Sequence, residues 1–317
     1  MCYYAVRIAC LVLFLLTISF VIAAQTPSAA IDHYKDGLSK TNKGDLDGAI
    51  RDYTKAIELS SRFSGDSSRN SYWKGSEAES ESAGIKVIDP FTARAYTNRG
   101  VARYRKADFE GAIRDFNHAL RIKPGLAEAY LNRAAANRAL GNIEEALADV
   151  GRAISLNDEL YEAYNNRASL RYDLGDIQGA LSDINRAIEL NPRLAQHFYH
   201  RGYVYIKKRQ FDKAIVDFDK AAQLNPNLAQ IYQGRGTAWM SKGDYDRAIP
   251  DFNRSLELNA DLAFSYMNRG LALMMRGRDA EAEKDFEKCL AVDPELKNEI
   301  TERKSIALEL RKSPAKN

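Results

Sequence analysis

The stretch from Ala127 to Leu160 reads AEAYLNRAAANRALGNIEEALADVGRAISLNDEL and decides the fold. It predicts two helices joined by a tight turn around its central glycine. Almost every feature of the stretch returns at a period of 34 residues, which indicates a repeat protein whose units stack on their neighbours. The seven copies begin at Ala30 (a weaker copy), Ala93, Ala127, Tyr161, Ala195, Ala229 and Ala263.

Small and large residues alternate at fixed positions of the repeat. Counted from the first residue of each copy, position 20 is alanine and position 8 is glycine or alanine in all seven copies. Small residues there let two helix backbones approach closely, because a packed interior leaves no room for larger side chains. Position 4 is aromatic in six copies and position 24 is a large apolar residue in all seven. The pattern therefore predicts a continuous core between paired helices.

The turns follow the same register. Position 15 is glycine in five copies, which suits a turn that requires a positive φ. Ala107 and Arg209 stand there in the other two copies, so we expect strained turns. Proline at position 32 ends one unit before the next begins, because it cannot continue a helix. Pro250 lies inside a predicted second helix, and we expect it to bend that helix or delay its start.

This pattern resembles the tetratricopeptide repeat (TPR) family over residues 30–296. The resemblance implies an all-α fold, a right-handed superhelix (solenoid) of seven helix-turn-helix repeats. The first repeat covers residues 30–59, where His33 and Asp36 replace the aromatic residue and the arginine of the other copies, as in an atypical capping unit. The six others lie within 88–296. Residues 60–87 are predicted to form a Ser-rich inserted loop, and residues 297–317 a capping helix and tail.

Residues 1–24 do not belong to the repeats. Arg7 precedes an apolar or small run over residues 8–24, which predicts a secretory signal peptide cleaved before Gln25. We therefore expect an exported protein, periplasmic or secreted; the alternative is a membrane anchor formed by residues 8–24. Cleavage would leave Cys289 as the single cysteine, which we expect to be a buried small residue rather than a reactive thiol.

Arginine at position 7 and aspartate at position 23 occur together in the same six copies. Matched occurrence predicts that each arginine forms a bidentate pair with the aspartate of the facing helix. The arginines are Arg99, Arg133, Arg167, Arg201, Arg235 and Arg269. The aspartates are Asp115, Asp149, Asp183, Asp217, Asp251 and Asp285. On this basis Arg167→Ala is expected to destabilise the fold by about 3 kcal/mol or more.

In the resembled family the first helix of each pair lines a concave face that binds peptides, with positions 2, 5, 6, 9 and 12 directed toward it. Position 6 carries a column of asparagines, broken at His200 and Gly234. Its members are Asn98, Asn132, Asn166 and Asn268. Each amide offers a donor and an acceptor, which suits the backbone of an extended peptide. The column resembles the asparagine ladder in the repeat domain of O-GlcNAc transferases, and a purely structural role remains the alternative.

The later copies add apolar candidates for the same face. They are Tyr199, Tyr203 and Ile206 in the fifth copy, and Met267, Leu271 and Met274 in the seventh. An exposed apolar patch usually marks a contact, and methionine adapts to varied partners. Three occupants remain open at this point: a foreign peptide, the C-terminal helix of the same chain, or a second copy in a homodimer.

Composition narrows the remaining classes of function. A net charge of +3 does not indicate nucleic acid or a membrane surface as a partner. We find no phosphate-binding glycine loop or catalytic motif, and the pair His197 and His200 lacks a third metal ligand. The sequence therefore predicts a non-enzymatic scaffold or adaptor without a cofactor, whose partner is a protein or peptide. The alternatives are a self-assembling structural component, or a membrane-tethered co-chaperone if residues 1–24 are retained.

Overall fold

The structure, a computed structural model, describes residues 28–64 and 90–312. These residues contain fifteen α-helices, one 3₁₀ turn and no strand. They fall into two compact units, which divide between Asp158 and Glu159 and are described separately. The predicted signal segment, residues 65–87 of the predicted loop and the last five residues of the tail lie outside the described residues.

Unit 1 contains three helix pairs. The helices are α1 (Ser28–Lys43), α2 (Leu46–Ser64), α3 (Pro90–Arg105), α4 (Phe109–Ile122), α5 (Ala127–Ala139) and α6 (Ile143–Leu156). The two helices of each pair pack on one another, and the second helix of a pair packs on the first helix of the next. Residues 60–64 continue α2, so the predicted boundary between repeat and loop at residue 59 is wrong by one helical turn or more.

Unit 2 contains four helix pairs and a final helix. The pairs are α7 (Tyr161–Asp173) with α8 (Ile177–Leu190), α9 (Ala195–Lys207) with α10 (Phe211–Leu224), α11 (Ala229–Ser241) with α12 (Tyr245–Leu258), and α13 (Ala263–Met275) with α14 (Asp279–Val292). A 3₁₀ turn at Pro294–Leu296 leads into α15 (Lys297–Lys312), which packs on α13. The predicted capping helix is therefore present.

A left-handed residue defines the turn inside each pair, and in four of the seven pairs an aspartate caps the second helix. The side chain of Asp108 accepts a hydrogen bond of 2.9 Å from the backbone N–H of Gly111 and so caps α4. Asp176 caps α8 in the same way. The residue before the cap has positive φ, 81° at Gly141 but also 61° at Ala107 and 56° at Arg209. The expected strain at the two residues that are not glycine is confirmed, because an L side chain disfavours this region.

Pro250 lies within α12, on its exposed side. The helix nevertheless begins at Tyr245, the same register position at which Phe211 begins α10. The predicted delay of the helix start is therefore wrong. Asp244 caps α12 by accepting from the N–H of Arg247 at 3.1 Å, which keeps the start in register.

Positions 8 and 24 form a matched pair in the core. A Cβ atom added to Gly100 would lie 2.7 Å from the ring of Phe116, and the other four glycines at position 8 meet the aromatic ring at position 24 in the same way. The two copies with alanine at position 8, Ala134 and Ala168, have the smaller Val150 and Ile184 opposite. Cys289 is fully buried in the core, as predicted, and burial raises the pKa of its thiol.

Candidate functional site

The predicted arginine–aspartate pairs are present in all six copies. In unit 1, Arg99 Nε and Nη2 donate to the two carboxylate oxygens of Asp115 at 2.9 and 2.7 Å. In unit 2, Arg201 donates to Asp217 at 2.7 and 2.8 Å. The four other pairs are Arg133–Asp149, Arg167–Asp183, Arg235–Asp251 and Arg269–Asp285. The aspartates are buried. The ion pairs therefore join the two helices of each pair and do not form an anion-binding site.

The same arginines also join successive repeats, which was not predicted from the sequence. In unit 1, Arg133 Nη1 donates to Asn117 of the preceding repeat at 2.5 Å. In unit 2, Arg201 donates to Asn185 at 2.8 Å and Arg269 to Asn253 at 2.7 Å. The acceptors stand at position 25 of the repeat, where asparagine recurs. This recurrence in the sequence could have predicted the contact between repeats.

Some side chains of the asparagine column are buried or form hydrogen bonds within the protein itself. In unit 1, Asn98 donates to the hydroxyl of Tyr34 on the preceding first helix at 2.9 Å, and Asn132 is half-buried. In unit 2, Asn166 is half-buried and Asn268 is buried. His200, which interrupts the column, bonds through Nδ1 to the side-chain oxygen of Asn165 at 2.8 Å. These bonds favour the structural alternative for Asn98 and leave Asn132 and Asn166 as partly exposed candidates.

Gly234 interrupts the column for a steric reason. A Cβ atom at Gly234 would lie 2.5 Å from the ring of Phe218, which belongs to the preceding repeat. The same ring also lies against Gly202 of its own repeat. Phe218 is therefore enclosed by two glycines, and an asparagine at residue 234 would require its ring to move.

The predicted aromatic residues of the fifth copy come together in unit 2. The ring centroids of Tyr199 and Tyr203 are 5.1 Å apart at an interplanar angle of 71°, and Tyr203 lies edge-on to Phe218 at 5.4 Å. Ile206 packs against the same cluster. All three predicted residues are half-buried, so each keeps a partly exposed surface. Burial raises the pKa of Tyr199 and of Tyr203.

Tyr172 of α7 is a further tyrosine on the first helix of the preceding repeat. It is half-buried, and burial raises the pKa of its hydroxyl. We refer to Tyr172, Tyr199 and Tyr203 as the tyrosine surface. Tyr172 was not singled out from the sequence, although it occupies position 12, one of the groove positions of the resembled family.

The predicted binding role of Met267, Leu271 and Met274 requires correction. Their relative exposures are 0%, 7% and 4%. They belong to one core cluster with Leu296, Ile300 and Ala307, the residues that α15 and its preceding turn bring to α13. Arg311 of α15 also donates to the carbonyl oxygen of Met274 at 2.8 Å. These methionines are not open surface, because the chain's own C-terminal helix covers them.

The two neighbouring histidines make separate contacts. His197 is 2% exposed, and its Nδ1 bonds to the carbonyl oxygen of Asn191 at 3.1 Å. His200 bonds to Asn165 instead. No group of three or more metal-ligating side chains occurs among residues 28–64 and 90–312.

Models of the tetratricopeptide repeat match this chain in six consecutive stretches. The stretches are residues 93–125, 127–159, 161–194, 195–228, 229–262 and 263–296. They coincide with the copies defined above and with the helix pairs from α3 to α14. The chain belongs to the tetratricopeptide repeat family. The comparison of this TPR protein with curated proteins found no match.

Solved structures share the fold. A TPR protein from Parabacteroides merdae ATCC 43184 is 20% identical, with a TM-score of 0.63 over 89% of this chain and 99% of that chain. The APC/C hetero-tetramer Cut9–Hcn1 is 16% identical, with a TM-score of 0.62 over 81% of this chain and 52% of that chain. A thermophilic TPR protein from Thermus thermophilus is 23% identical, with a TM-score of 0.50 over 57% of this chain and 99% of that chain.

The family and the fold are those of a protein-interaction scaffold whose partners are proteins or peptides. TPR proteins are in general non-enzymatic. Among the described residues, none of the helices combines the length and the apolar character needed to cross a membrane.

Proposed function

We propose that this TPR protein is an exported, non-enzymatic scaffold that holds an extended peptide or a helical element of a partner protein. The partner would lie against the first helices of unit 2. Membership of the family supports the scaffold role in general. The proposed binding surface depends on unit 2 itself, and the proposed export depends on the apolar run over residues 8–24.

The tyrosine surface is the observation that carries this proposal. Tyr199 and Tyr203 are large aromatic side chains that are only half-buried. Aromatic rings supply much contact area for little loss of rotamer entropy, and tyrosine adds a hydroxyl for hydrogen bonding. Asn166, half-buried on α7 at the column position, adds an amide to the same set of first helices.

A random-peptide display library, screened against the purified mature protein, tests the binding surface. Tyr199→Ala should abolish capture of the selected peptides. Val216→Ala is the matched control, because Val216 lies on α10 of the same repeat and is 65% exposed. Equal capture by both variants, with equal helicity, would contradict this surface. A library that yields no bound peptide would contradict peptide binding altogether.

Export is tested by the N-terminus of the protein isolated from its native cells. Mass spectrometry of the intact chain should give a first residue at Gln25, with the protein outside the cytoplasm. A chain that still begins at Met1 and fractionates with membranes would favour the tethered alternative. Self-assembly through the last repeat is not carried forward, because α15 covers the methionine patch on which it depended.

A further inference from the structure

The first helices α7, α9 and α11 carry few charges on the positions that the resemblance directs toward the groove. Across the fifteen residues at positions 2, 5, 6, 9 and 12 of these helices, Glu162 is the single formal charge. No lysine or arginine stands at these positions in the three helices. Apart from one cation placed at Glu162, a ligand that buries charges here would lose their hydration without gaining an ion pair, so the surface matches an uncharged segment.

The hydrogen-bonding capacity of the tyrosine surface favours a ligand that presents acceptors. The hydroxyl of Tyr199, which is partly exposed, can donate one hydrogen bond. The side-chain amides of Gln196 and Gln233 on the neighbouring positions can donate as well. Donors of this kind pair with backbone carbonyls that are not already used inside the ligand.

We infer that the tyrosine surface binds an uncharged, proline-rich segment in the polyproline II conformation. This inference depends on the proposed function and specifies its partner. A polyproline II segment has no internal hydrogen bonds, so its carbonyls are free, and its proline rings pack on aromatic side chains. The rings of Tyr199 and Tyr203 meet edge to face at 71° and are both partly exposed, so a pyrrolidine ring can pack on their exposed sides.

The general distance between packed helices agrees with this ligand. The first helices α7, α9 and α11 contact one another in sequence. Packed helices lie about 8–10 Å apart. One turn of polyproline II contains three residues and advances by about 9 Å. Each turn of the ligand would therefore meet one first helix, with Tyr172 on α7 and the pair Tyr199 and Tyr203 on α9.

Fluorescence anisotropy with a labelled decaproline peptide and the mature protein tests the inference. Decaproline should bind at least about tenfold more tightly than a Gly-Ser peptide or a polyglutamate peptide of equal length. Its affinity should change less than about twofold between low and physiological salt, because no charges pair. Equal binding of the three peptides, or preference for polyglutamate, would overturn the inference.

Variants then assign the site. Tyr199→Ala should weaken decaproline binding about tenfold or more, and Val216→Ala should leave it unchanged. The double variant Tyr199→Phe with Tyr203→Phe keeps both rings in the core and should weaken binding about five- to tenfold, the effect of a lost hydrogen bond. Unchanged binding in these two tyrosine variants would overturn the assignment.

These experiments distinguish a failure of this inference from a failure of the proposed function. If library peptides without proline bind and depend on Tyr199 while decaproline does not bind, the scaffold function stands and this inference fails. If neither library peptides nor decaproline binds, both fail.

Discussion

At the scale of single residues, the arginine at position 7 joins three parts of the structure. In unit 2, Arg201 pairs with Asp217 on the facing helix and donates to Asn185 on the preceding repeat. Its guanidinium also lies 5.6 Å from the ring centroid of Phe198. A planar group with donors on several edges can make these contacts together, whereas a lysine ammonium cannot.

Arg201→Ala should therefore destabilise unit 2 by about 3 kcal/mol, because it leaves a buried carboxylate without its only bidentate partner. Arg167→Ala should cost less, about 1–2 kcal/mol, since Asp183 keeps a second partner in Arg171 at 2.7 Å. This revises the value expected from sequence for Arg167. Urea unfolding followed by circular dichroism measures both, and Arg171→Ala in the Arg167→Ala background should restore the larger loss. Equal losses in the two single variants would contradict this ranking.

His197 should make the stability of unit 2 depend on pH. Burial lowers the pKa of His197 from its ordinary 6.5, opposed by its bond to the Asn191 carbonyl and by the nearby carboxylate of Glu162. The unfolded chain then binds the proton more readily, so stability is complete above pH 6.5 and falls as the pH drops toward the lowered pKa. The loss should reach about 1.4 kcal/mol for each unit of lowering.

This effect is isolated by measuring the free energy of unfolding in urea for the wild type and for His197→Gln between pH 7.5 and 5. The wild type should lose stability relative to the variant over that range. A difference between the two proteins that stays constant with pH would show that His197 does not titrate within this window.

At the scale of elements, each helix pair depends on the match between positions 8 and 24. Gly100→Ala would bring a Cβ atom within 2.7 Å of the ring of Phe116 and should cost about 1–3 kcal/mol by overpacking. Adding Phe116→Ile should recover part of that loss, because Ala168 and Ile184 already form such a pair in unit 2.

A double-mutant cycle of Gly100→Ala and Phe116→Ile measures this coupling. The two changes should show a favourable interaction of about 1 kcal/mol in the free energy of unfolding. Additive effects would mean that the helices separate slightly to accommodate the alanine, so that the size of the opposing residue does not matter.

The turn between α3 and α4 offers a stabilising change. Ala107 has a φ of 61°, in the left-handed region that costs an L residue roughly 1–2 kcal/mol. Ala107→Gly should raise stability by about 0.5–1 kcal/mol after the greater entropy of glycine in the unfolded chain is subtracted. The reverse change, Gly141→Ala at a φ of 81° with open space around it, should lower stability by a similar amount. Thermal unfolding would contradict the reasoning if both changes moved the midpoint in one direction.

At the scale of the whole chain, α15 closes the end of unit 2. A chain ending at Leu296 would expose Met267, Leu271 and Met274, whose partners Ile300 and Ala307 would be gone. We expect a loss of roughly 2–4 kcal/mol, stronger binding of an apolar dye and a mass that rises with concentration. A chain ending at Lys312 is the control and should behave as the full chain. Dye binding and mass unchanged in the shorter chain would contradict the covering role of α15.

The asparagines and methionines illustrate how far the candidate site could be predicted. Position 6 was recognised as a column of asparagines from the sequence. The hydrogen bond of Asn98 to Tyr34, however, joins residues 64 positions apart, and neither copy has a sequence feature that predicts it. The burial of Met274 likewise depends on where α15 packs, and a polar helix can cover an apolar surface through a few residues such as Ile300. Exposure is a property of the assembled repeats, so these residues could not be sorted from sequence.

What the sequence determined by itself is the repeat: its period, its two helices, its turn, and the pairing of arginine with aspartate. Each of these follows from contacts within one copy or between identical neighbours, so the same residues recur and the pattern can be read. Only the tertiary structure decided which surface stays open, since that depends on unlike elements meeting once. The enclosure of Phe218 by Gly202 and Gly234, and the covering of α13 by α15, happen at single places in the chain and have no period to reveal them.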